Sequence, residues 1–426
     1  MAIETSRLPG LHRNSVAERL ERIAEAVGLT PQQTAHLADT GNLTSDIANR
    51  LIENVIGTMN LPIGIATNML VDGAEVLVPM ATEESSVVAA VCNSARMCRD
   101  TGGFRTAVSG SEMIAQVQIL DVPDPQSARL RLLERRDVIR QRCDAIDPVL
   151  VELGGGFRDL EVRVLETRGG PMVIVHLIVD TRDAMGANAV NSMAEALAPS
   201  LAEWAGGRAL LRILSNLADR RLARASAVWP LEQIGGPRVR DDILAAFHFA
   251  EADPYRAATH NKGIMNGISA LAMATGNDTR ALEAGAHAYA ARGGRYRALG
   301  SWEIDGEGAL VGSLEVPIAM GMVGGATRGH PTAGLALAIL GVETAGGLAR
   351  VAATVGLAQN FAALRALVTS GIQKGHMALH AQNIAMMAGA RGEEIDRVAQ
   401  ILVERGEVRM DIAQAVLRDL SGSGSK

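Results

Sequence analysis

The spacing of apolar residues along the chain predicts mostly helices, interrupted by short groups of strands. Residues 15–57 show the three-to-four-residue spacing of amphipathic helices. The next stretch, NLPIGIATNMLVDGAEVLVPMATEESSVVAA, predicts a strand, a turn at Asp72 and Gly73, a second strand, and a helix from about Thr82. The second half is rich in alanine and helical in pattern, except that GEGALVGSLEVPIAMGMV alternates as strands do.

The middle of the chain predicts a βαββαβ unit. EMIAQVQIL has the pattern of a strand, PQSARLRLLERRDVIRQRC that of a helix, and DLEVRVLET and PMVIVHLIVD those of two strands. A helix from about Ala187 to Trp204 and a last strand in RALLRILSNL follow. This order is that of a ferredoxin-like, split βαβ arrangement. We therefore predict an α+β chain with the following division: a large domain of 1–109 and 219–374, an inserted small domain of 110–218, and a helical C-terminal lobe of 375–426.

Composition and charge limit the classes of partner. The net charge of −6 arises from 41 Lys+Arg and 47 Asp+Glu spread along 426 residues, so no continuous basic face for a nucleic acid is predicted. The N-terminus lacks the apolar core of a signal peptide, and no uninterrupted apolar run reaches the roughly 18 residues of a membrane span. The three cysteines show no CxxC spacing. These features predict a cytoplasmic protein without a nucleic acid or membrane partner.

A pair of carboxyl groups lies in VPMATEES, where the second strand is predicted to lead into a helix. Acidic residues in the first turn of a helix favour the positive end of its dipole, and this structural role is the stronger explanation for Glu83 and Glu84 taken alone. A carboxyl group buried beside Val78 and Met80 would instead have a raised pKa and would serve as a proton donor near neutral pH. Burial decides between these two explanations.

Three basic residues, Arg256, His260 and Lys262, lie within about two helical turns in DPYRAATHNKGIMNG, which ends in glycines. The ordinary explanation is an exposed lysine near the start of a helix. The glycines, which allow a backbone to approach a ligand closely, and the neutral hydrogen-bonding group of Asn266 favour a functional role. Asp278, in the downstream ATGND, is a candidate partner for Lys262, and a lysine so held stabilises an oxyanion on a reduced carbonyl.

Two histidines share a predicted helix face in QKGHMALH. The i, i+4 spacing of His376 and His380 is compatible with zinc, but there is no HExxH glutamate and no evident third ligand, so no metal site is predicted. His376 lies at the start of the predicted C-terminal lobe and is a candidate proton donor. A purely structural histidine is an equally good explanation.

Two glycine-containing turns in the small domain are candidate phosphate sites. VDTRDAMGANAVNSMAE joins a strand to a helix through Asp183, Gly186 and Asn188, which offers free amide groups at a helix N-terminus. The segment does not contain the GxGxxG motif, and the predicted unit around it is not a Rossmann βαβ fold. The glycines of LGGGFRD have an ordinary explanation in a turn. Each signal is weak by itself.

Five segments together resemble the class II 3-hydroxy-3-methylglutaryl-CoA (HMG-CoA) reductases of bacteria, over nearly the whole chain. They are ENVIGTMNLPIGIATNMLVDGAEVLVPMATEESSVVAA, DAMGAN, THNKGIMNGISA, ATGND and IQKGHMALHA. The resemblance implies a homodimer with a large CoA-binding domain, a small domain that binds a nicotinamide cofactor without a Rossmann fold, and a C-terminal flap. It also implies interconversion of HMG-CoA with mevalonate and CoA by two hydride transfers, through a thiohemiacetal and mevaldehyde.

The matched motifs imply roles for particular residues. Catalytic roles are implied for Glu83, Lys262, Asp278 and His376. Contacts with the acyl substrate are implied for Ser85, Arg256 and Asn266. Contacts with the cofactor are implied for Asp183, Met185, Gly186 and Asn188. The sequence departs from the family pattern at Ser86, where proline is expected, and in SAVWPLEQIGGPRVRDD, which is shortened; both departures concern loop geometry rather than these residues.

The resemblance also predicts the coenzyme. Asp147, in AIDPVLVELGGG, matches the family's acidic position at the adenosine ribose. A carboxylate there accepts a hydrogen bond from a ribose 2′-hydroxyl and repels a 2′-phosphate, so NAD(H) is predicted over NADP(H). The structural alternative is a turn-forming aspartate before Pro148.

Two functions of other classes fit parts of the sequence. A Cys-His acyltransferase acting on CoA esters would use Cys92 as nucleophile and His376 as base. A noncatalytic helical assembly protein would account for the alanine-rich second half, but not for the glycine-flanked lysine and histidine.

Overall fold

The computed structural model describes residues 3–324, 329–369 and 372–422, and the side chains of the same residues except 372–379, 421 and 422. Helices and antiparallel strands both contribute to the described part of the chain, which confirms the α+β class.

Short helices form the N-terminal region: α1 (Val16–Val27), α2 (Pro31–Ala38) and α3 (Ser45–Leu51). The first two begin with capping boxes, in which the N-cap side chain and the glutamate or glutamine three residues later satisfy each other's backbone N–H groups. The helical prediction for 15–57 is wrong at its end, because α3 stops at Leu51 and Ile52 is already extended.

A two-stranded antiparallel hairpin follows, with β1 (Ile63–Val71) and β2 (Ala74–Ala81) joined by a tight turn as predicted. The next helix, α4 (Val87–Cys98), begins later than the predicted start near Thr82. Its N-cap residue, Ser86, has a left-handed backbone with φ of 73°, which breaks the helical path and leaves 82–86 as a loop.

The small antiparallel sheet has the element order that the sequence predicts. Its strands are β4 (Glu112–Leu120), β5 (Gly156–Thr167), β6 (Gly170–Asp180) and β7 (Arg208–Leu214), in the spatial order β5-β6-β4-β7. Its helices are α5 (Pro125–Glu134), α6 (Arg136–Ile146), α7 (Pro148–Glu152) and α8 (Ala187–Ala205). The single helix predicted over PQSARLRLLERRDVIRQRC is interrupted at Arg135, whose backbone leaves the helical region. One face of the sheet packs on these helices in a hydrophobic cluster that extends from Met113 to Ala218.

A second antiparallel sheet belongs to the larger part of the chain. Its strands are β3 (Arg105–Val108), β8 (Leu222–Trp229), β9 (Gly300–Ile304) and β10 (Leu310–Pro317), in the order β3-β8-β10-β9. The helices around it are α9 (Leu231–Ile234), α10 (Pro237–Ala252), α11 (Pro254–Ala274), α12 (Thr279–Ala290), α13 (Pro331–Leu340) and α14 (Ala345–Val368). The largest cluster of buried side chains joins β8 and β10 to α4, α11 and α14.

Helix α14 is the centre of this core. Among the described residues it is the one helix long and apolar enough to cross a membrane, yet 67% of its most apolar 18-residue window is buried inside the protein. Burial of this kind is typical of the central helix of a folded domain. The C-terminal helices are α15 (Ile372–Met387), α16 (Glu393–Arg405) and α17 (Met410–Gly422), and they pack on one another in a separate cluster.

The predicted division into domains stays a proposal, and the packing supports it. The small-sheet cluster ends near the β3–β4 and β7–β8 connections, where we propose the boundaries at 109/110 and 218/219. The C-terminal helices have a cluster of their own from Ala381 to Val416, which supports the proposed lobe from 375 onward.

Candidate active site

The proposed catalytic lysine is paired with a carboxylate across the fold. Lys262 lies in the middle of α11, and its Nζ is 2.8 Å from Oε2 of Glu84. Asn266, one helical turn further along α11, points its Nδ2 at the same carboxylate at 3.5 Å from each oxygen. Glu84 lies in the 82–86 loop, so the loop between β2 and α4 meets one stripe of α11. These contacts define the candidate active site.

A cavity of about 480 Å³ opens beside this pair. Thr82, Glu83 and Glu84 line it from the loop, and Asn266 and Ser269 line it from α11. The start of α12 completes it with residues including Thr279, Arg280 and Glu283. The cavity is therefore lined by charged and hydrogen-bonding groups from three separate parts of the chain.

The structure distinguishes the two adjacent glutamates. Both are exposed in this chain, and neither lies in the first turn of a helix, because α4 begins only at Val87. Neither expected explanation therefore holds: the two glutamates do not lie in the first turn of a helix, and they are not buried. Glu84, not Glu83, contacts Lys262 and Asn266. The motif-based choice of Glu83 stays untested, but the geometry favours Glu84 as the carboxyl group that works with the lysine.

Asp278 does not contact Lys262 in the described chain, contrary to the expected pairing. Its side chain caps α12 by accepting hydrogen bonds from the backbone N–H of Arg280 at 2.9 Å and of Ala281 at 3.2 Å. The Arg280 side chain binds it at 3.1 Å, and these hydrogen bonds hold the pKa of Asp278 below its usual value. Thr279 and Arg280, the two residues after Asp278, line the cavity. Asp278 therefore lies next to the cavity edge and not beside Lys262.

The glycines that follow Lys262 have a packing role. A Cβ added to Gly267 would lie 2.9 Å from the carbonyl oxygen of Val355, so the missing side chain lets α11 approach α14. The idea that these glycines admit a ligand is therefore wrong for Gly267. His260 is likewise a core residue, 2% exposed, with its Nε2 3.1 Å from Nδ2 of Asn360.

Burial of His260 predicts acid sensitivity. Desolvation and the nearby Arg256 lower its pKa from 6.5 to about 4, so the unfolded chain binds this proton more readily than the folded one. The contribution to stability is complete above about pH 6.5 and is lost as the pH falls towards 4. We expect His260 alone to reduce the free energy of unfolding by about 2 kcal/mol between pH 7 and pH 5.

Urea unfolding of the wild type and of His260→Gln at both pH values measures this contribution. The variant is expected to lose less stability on acidification than the wild type does. An identical loss in both proteins would contradict the assignment of this titration to His260.

The proposed cofactor residues lie in one loop. The segment Thr181–Gly186, which we call the cofactor loop, joins β6 to α8. Helix α8 begins after Gly186 at φ of 101°, has no side-chain cap and has no acidic residue in its first turn, so its first N–H groups are left for an external acceptor. Asn188 is exposed in that turn. This donor set fits a phosphate of a dinucleotide, with Gly186 required because a Cβ there would lie 2.5 Å from Thr181.

The other proposed cofactor residues have structural partners. Oδ1 of Asp183 accepts a hydrogen bond from the backbone N–H of Ala345 at 2.8 Å, so this carboxylate ties the cofactor loop to the start of α14. Asp147 caps α7 by accepting from the N–H of Leu150 at 3.0 Å, as the structural alternative predicts. That bond uses one carboxylate oxygen of Asp147, and the other is not engaged by it.

The remaining candidates are not brought into the cavity lining. Ser85 is half-buried in the loop next to Glu84, and Arg256 lies in the first turn of α11, where burial lowers its pKa. The side chain of His376 lies outside the described residues, although its backbone belongs to α15. Cys92 lies on α4, where its sulfur accepts a hydrogen bond from the N–H of Thr67 at 3.2 Å. The described residues contain no cluster of three or more potential metal ligands.

Sequence reasoning missed three features of the site. Arg280 and Glu283 line the cavity, and no motif distinguished them from ordinary helix residues. Arg221, which is buried beside the cofactor loop with 4% of its surface exposed, was not predicted either. The signal available for it was a charged residue inside LADRRLARASAVW, where every second residue of β8 is buried.

The chain is similar to proteins of one enzyme family. The family model described as hydroxymethylglutaryl-coenzyme A reductase matches residues 15–381. A 3-hydroxy-3-methylglutaryl-coenzyme A reductase of Archaeoglobus fulgidus is 56% identical, covering 98% of this chain and 95% of that protein. A probable enzyme of the same name from Borreliella burgdorferi is 36% identical, covering 80% of this chain and 79% of that protein.

Solved structures agree with the sequence relatives. A 3-hydroxy-3-methylglutaryl-coenzyme A reductase of Streptococcus pneumoniae matches with a TM-score of 0.83 at 40% identity, covering 97% of this chain and 99% of that one. A structure of the class II enzyme of the same organism, bound to NADPH in open conformations, matches with a TM-score of 0.82 at 41% identity, covering 85% and 99% of the two chains. The resemblance deduced from the five motifs is confirmed by these matches.

Proposed function

The chain belongs to the hydroxymethylglutaryl-coenzyme A reductase family and is an oxidoreductase of that class, and from this premise we propose how its residues act. The reaction interconverts HMG-CoA with mevalonate and CoA, using a nicotinamide cofactor. In the reductive direction HMG-CoA, two equivalents of reduced cofactor and two protons give mevalonate, CoA and two equivalents of oxidised cofactor. The bound nicotinamide supplies or accepts the hydride.

Lys262 and Glu84 carry the carbonyl chemistry in this proposal. The ammonium group of Lys262 stabilises the negative charge that develops on the carbonyl oxygen as hydride reaches its carbon. Glu84, 2.8 Å from Lys262, donates the proton that completes the thiohemiacetal hydroxyl, and takes it back when the C–S bond breaks and mevaldehyde forms. The same pair acts again when the aldehyde becomes the alcohol.

The other proposed residues bind, orient and protonate. His376 gives a proton to the CoA thiolate that leaves, because an imidazolium is a stronger acid than a thiol and protonates its thiolate readily. Asn266 holds the Glu84 carboxylate and, with Ser85 and Arg256, contacts the acyl group. Asp278 acts from the cavity edge, where it fixes the start of α12.

The single observation that carries this proposal is the contact of Lys262 and Asn266 with Glu84 beside the cavity. The direct test follows absorbance at the nicotinamide band with mevalonate, CoA and either NAD or NADP. Reduction that needs both mevalonate and CoA is the expected result. The absence of any cofactor reduction, in both directions, would reject the proposed reaction for this chain.

We propose that NAD(H) is preferred, with NADP(H) as the poorer coenzyme. The argument is the carboxylate of Asp147, one oxygen of which is not used in capping α7. The NADPH-bound relative from Streptococcus pneumoniae shows that a similar fold accepts the phosphorylated coenzyme, so the preference needs its own measurement.

Asp147→Ala is expected to reduce the ratio of kcat/KM for NAD to kcat/KM for NADP by about tenfold. The variant no longer has the carboxylate that repels the 2′-phosphate of NADP. Asp144→Ala in the same region is the matched control, because the Asp144 carboxylate is bound to the N–H of Phe157 at 2.9 Å. An unchanged ratio in Asp147→Ala would leave this aspartate with a capping role only.

We propose a homodimer that completes a junction between substrate-binding and cofactor-binding domains. The segment 52–62 has no regular structure before β1 and exposes large apolar side chains, with Ile56 fully exposed and Met59 86% exposed. Contiguous exposed apolar residues of this kind mark protein interfaces. A second copy of the chain is the occupant that the family's dimers imply.

Ile56→Glu is expected to convert the dimer into monomers, because a carboxylate in an apolar interface loses its hydration. Light scattering coupled to gel filtration measures the mass. Val16→Glu is the matched control, since Val16 is also a β-branched apolar residue, 76% exposed, on α1. An unchanged dimer in Ile56→Glu, or a monomeric wild type, would contradict the proposed interface.

We further propose a cytoplasmic location, which the three free cysteines support. Cys98 and Cys143 are buried, and burial raises the pKa of each thiol to about 12, so neither is reactive at neutral pH. Unpaired thiols of this kind are typical of a reducing compartment.

A further inference from the structure

A buried arginine lies behind the cofactor loop. Arg221, just before β8, is 4% exposed, and its Nη1 donates to the carbonyl oxygens of Ala184 at 2.9 Å and Met185 at 3.2 Å. The same Nη1 donates to Oγ1 of Thr181 at 3.1 Å, and Nη2 donates to the carbonyl oxygen of Met320 at 2.6 Å. Its guanidinium therefore holds the first and last parts of the cofactor loop and a segment of the larger core.

Burying the Arg221 guanidinium without an ion-pair partner costs free energy, which indicates that this residue has a role beyond filling the core. No carboxylate in the described residues lies within ion-pair distance of Arg221, although Asp180 and Asp183 are near enough to oppose the effect of burial, which lowers its pKa to about 10. An unpaired buried cation is expensive, and an apolar residue of similar volume is usually the more stabilising choice. Four neutral oxygens are therefore gathered around a full positive charge.

The bonds from Arg221 fix the direction of the loop's peptide groups. A trans peptide points its N–H opposite to its carbonyl. When Ala184 and Met185 direct their carbonyls at the guanidinium, the N–H groups of Met185 and Gly186 point away from it. The N–H of Gly186 directly precedes the uncapped first turn of α8, so this orientation adds it to the amide donors that the turn offers to an anion.

A second contact links the cofactor loop to the cavity. The segment Ile318–Met322, which we call the linking segment, follows β10 and runs beside the loop. The N–H of Met322 donates to the carbonyl of Asp183 at 2.8 Å, and a Cβ on Gly321 would lie 2.5 Å from the nitrogen of Met185. On its other side, the N–H of Gly321 donates to Oδ1 of Asn277 at 2.8 Å.

Asn277 immediately precedes Asp278, so the linking segment connects both parts of the proposed site. On one side it contacts the loop that holds the cofactor, and on the other the turn that starts α12 at the cavity. Contacts this short leave little room for independent movement, because well-packed interiors transmit displacements rather than absorb them.

We propose that Arg221 and Gly321 are positioning residues for the nicotinamide cofactor, which hold the cofactor loop in its binding conformation and fix it relative to the turn of Asp278. This inference rests on the proposed function, because it takes the cofactor loop as the cofactor's binding site. It adds two residues that act by holding the cofactor loop, Arg221 through its hydrogen bonds and Gly321 through its close approach to Met185.

Direct binding of NADH, followed by its fluorescence without turnover, tests the proposal. Arg221→Met and Gly321→Ala are expected to weaken NADH binding by about tenfold or more. The first variant removes the charged hydrogen bonds that hold the loop. The second adds a Cβ that would lie 2.5 Å from the nitrogen of Met185 and displaces the loop backbone. Binding of CoA, measured by calorimetry, is expected to stay within about twofold, because a displaced cofactor loop leaves the large-domain site intact. Arg221→Lys keeps the charge without the fork geometry and is expected to recover part of the loss.

Matched controls separate positioning from general destabilisation. Gly334→Ala lies on α13, where an added Cβ meets no atom within 4 Å, and Arg224→Met removes a half-buried arginine of β8 that is paired with Glu315 at 2.6 Å. Both are expected to bind NADH as the wild type does. Asn277→Ala removes the bond from Gly321 to the Asp278 turn, together with two bonds from Asn277 to Thr275 at the end of α11. It leaves the contacts of Arg221 with the cofactor loop in place, so it is expected to lower kcat and to leave NADH binding nearly unchanged.

The possible outcomes distinguish this inference from the proposed function. A folded Arg221→Met and a folded Gly321→Ala that bind NADH with wild-type affinity would overturn the positioning role. Equal losses of NADH and CoA binding, accompanied by a lower melting temperature, would also overturn it, because they indicate a structural role only. If Arg221→Met does not fold, Gly321→Ala and Arg221→Lys decide. A wild type that binds no nicotinamide coenzyme would instead reject the proposed function.

Discussion

Glu84→Gln is expected to reduce kcat for both the oxidation of mevalonate and the reduction of HMG-CoA by on the order of a hundredfold to ten-thousandfold, the usual contribution of a general acid. Glutamine preserves the size of the side chain but neither exchanges a proton nor forms an ion pair with Lys262. Glu84 is the carboxyl group that the lysine contacts, at 2.8 Å, and the amide of Asn266 faces the same oxygens.

Glu83→Gln is the matched control, because Glu83 lines the same cavity one residue earlier. Within the described residues Glu83 has no ion pair, so its variant is expected to keep activity within about threefold of wild type. Steady-state absorbance assays of both variants, with melting temperatures to confirm folding, measure the difference. The reverse ranking of the two variants would restore Glu83 as the catalytic glutamate and reject the choice made from geometry.

Lys262→Met is expected to lower the rates at which HMG-CoA and added mevaldehyde are reduced, each by about a hundredfold to a thousandfold. Both reactions pass through an oxyanion, which loses its stabilising positive charge in this variant. Methionine keeps much of the apolar stem. His376→Gln supplies the contrast, since only the thioester step releases a thiolate. That variant is expected to damage the reduction of HMG-CoA far more than that of mevaldehyde.

The measurement is the rate of reduction of HMG-CoA and of mevaldehyde by each folded variant, compared as the ratio of the two losses. Comparable losses in the two reactions for His376→Gln, at an unchanged melting temperature, would reject thiolate protonation by this histidine. A Lys262→Met enzyme that reduces mevaldehyde normally would show that the lysine acts in the thioester step alone.

Local sequence patterns were sufficient for the small sheet. The alternation in EMIAQVQIL and DLEVRVLET corresponds to β4 and β5, because side chains of a strand alternate between two faces of the sheet. The nearly continuous apolar run of PMVIVHLIVD corresponds to β6, which is buried throughout residues 173–180. The pattern was less reliable at element ends. It placed the start of α4 near Thr82, and it could not anticipate the left-handed backbone of Ser86 that delays the helix.

The function could also be predicted from sequence motifs alone. The joint order of five short motifs identified the family, and the family's chemistry followed from it. A motif specifies which residue types occur and in which order. It does not specify which of two identical neighbours turns towards a partner, and so TEES left Glu83 and Glu84 indistinguishable.

The sequence by itself determined the α+β class, the βαββαβ order of the small sheet and the family, and it supplied most residue types of the proposed site, because periodicity and motif spacing are local properties of the chain. Only the tertiary structure decided that Glu84 meets Lys262, which lies 178 residues away, that Asp278 instead binds Arg280, and that Arg221 is buried behind the cofactor loop. Distances and burial depend on how separate helices and strands pack, and no local pattern contains that information.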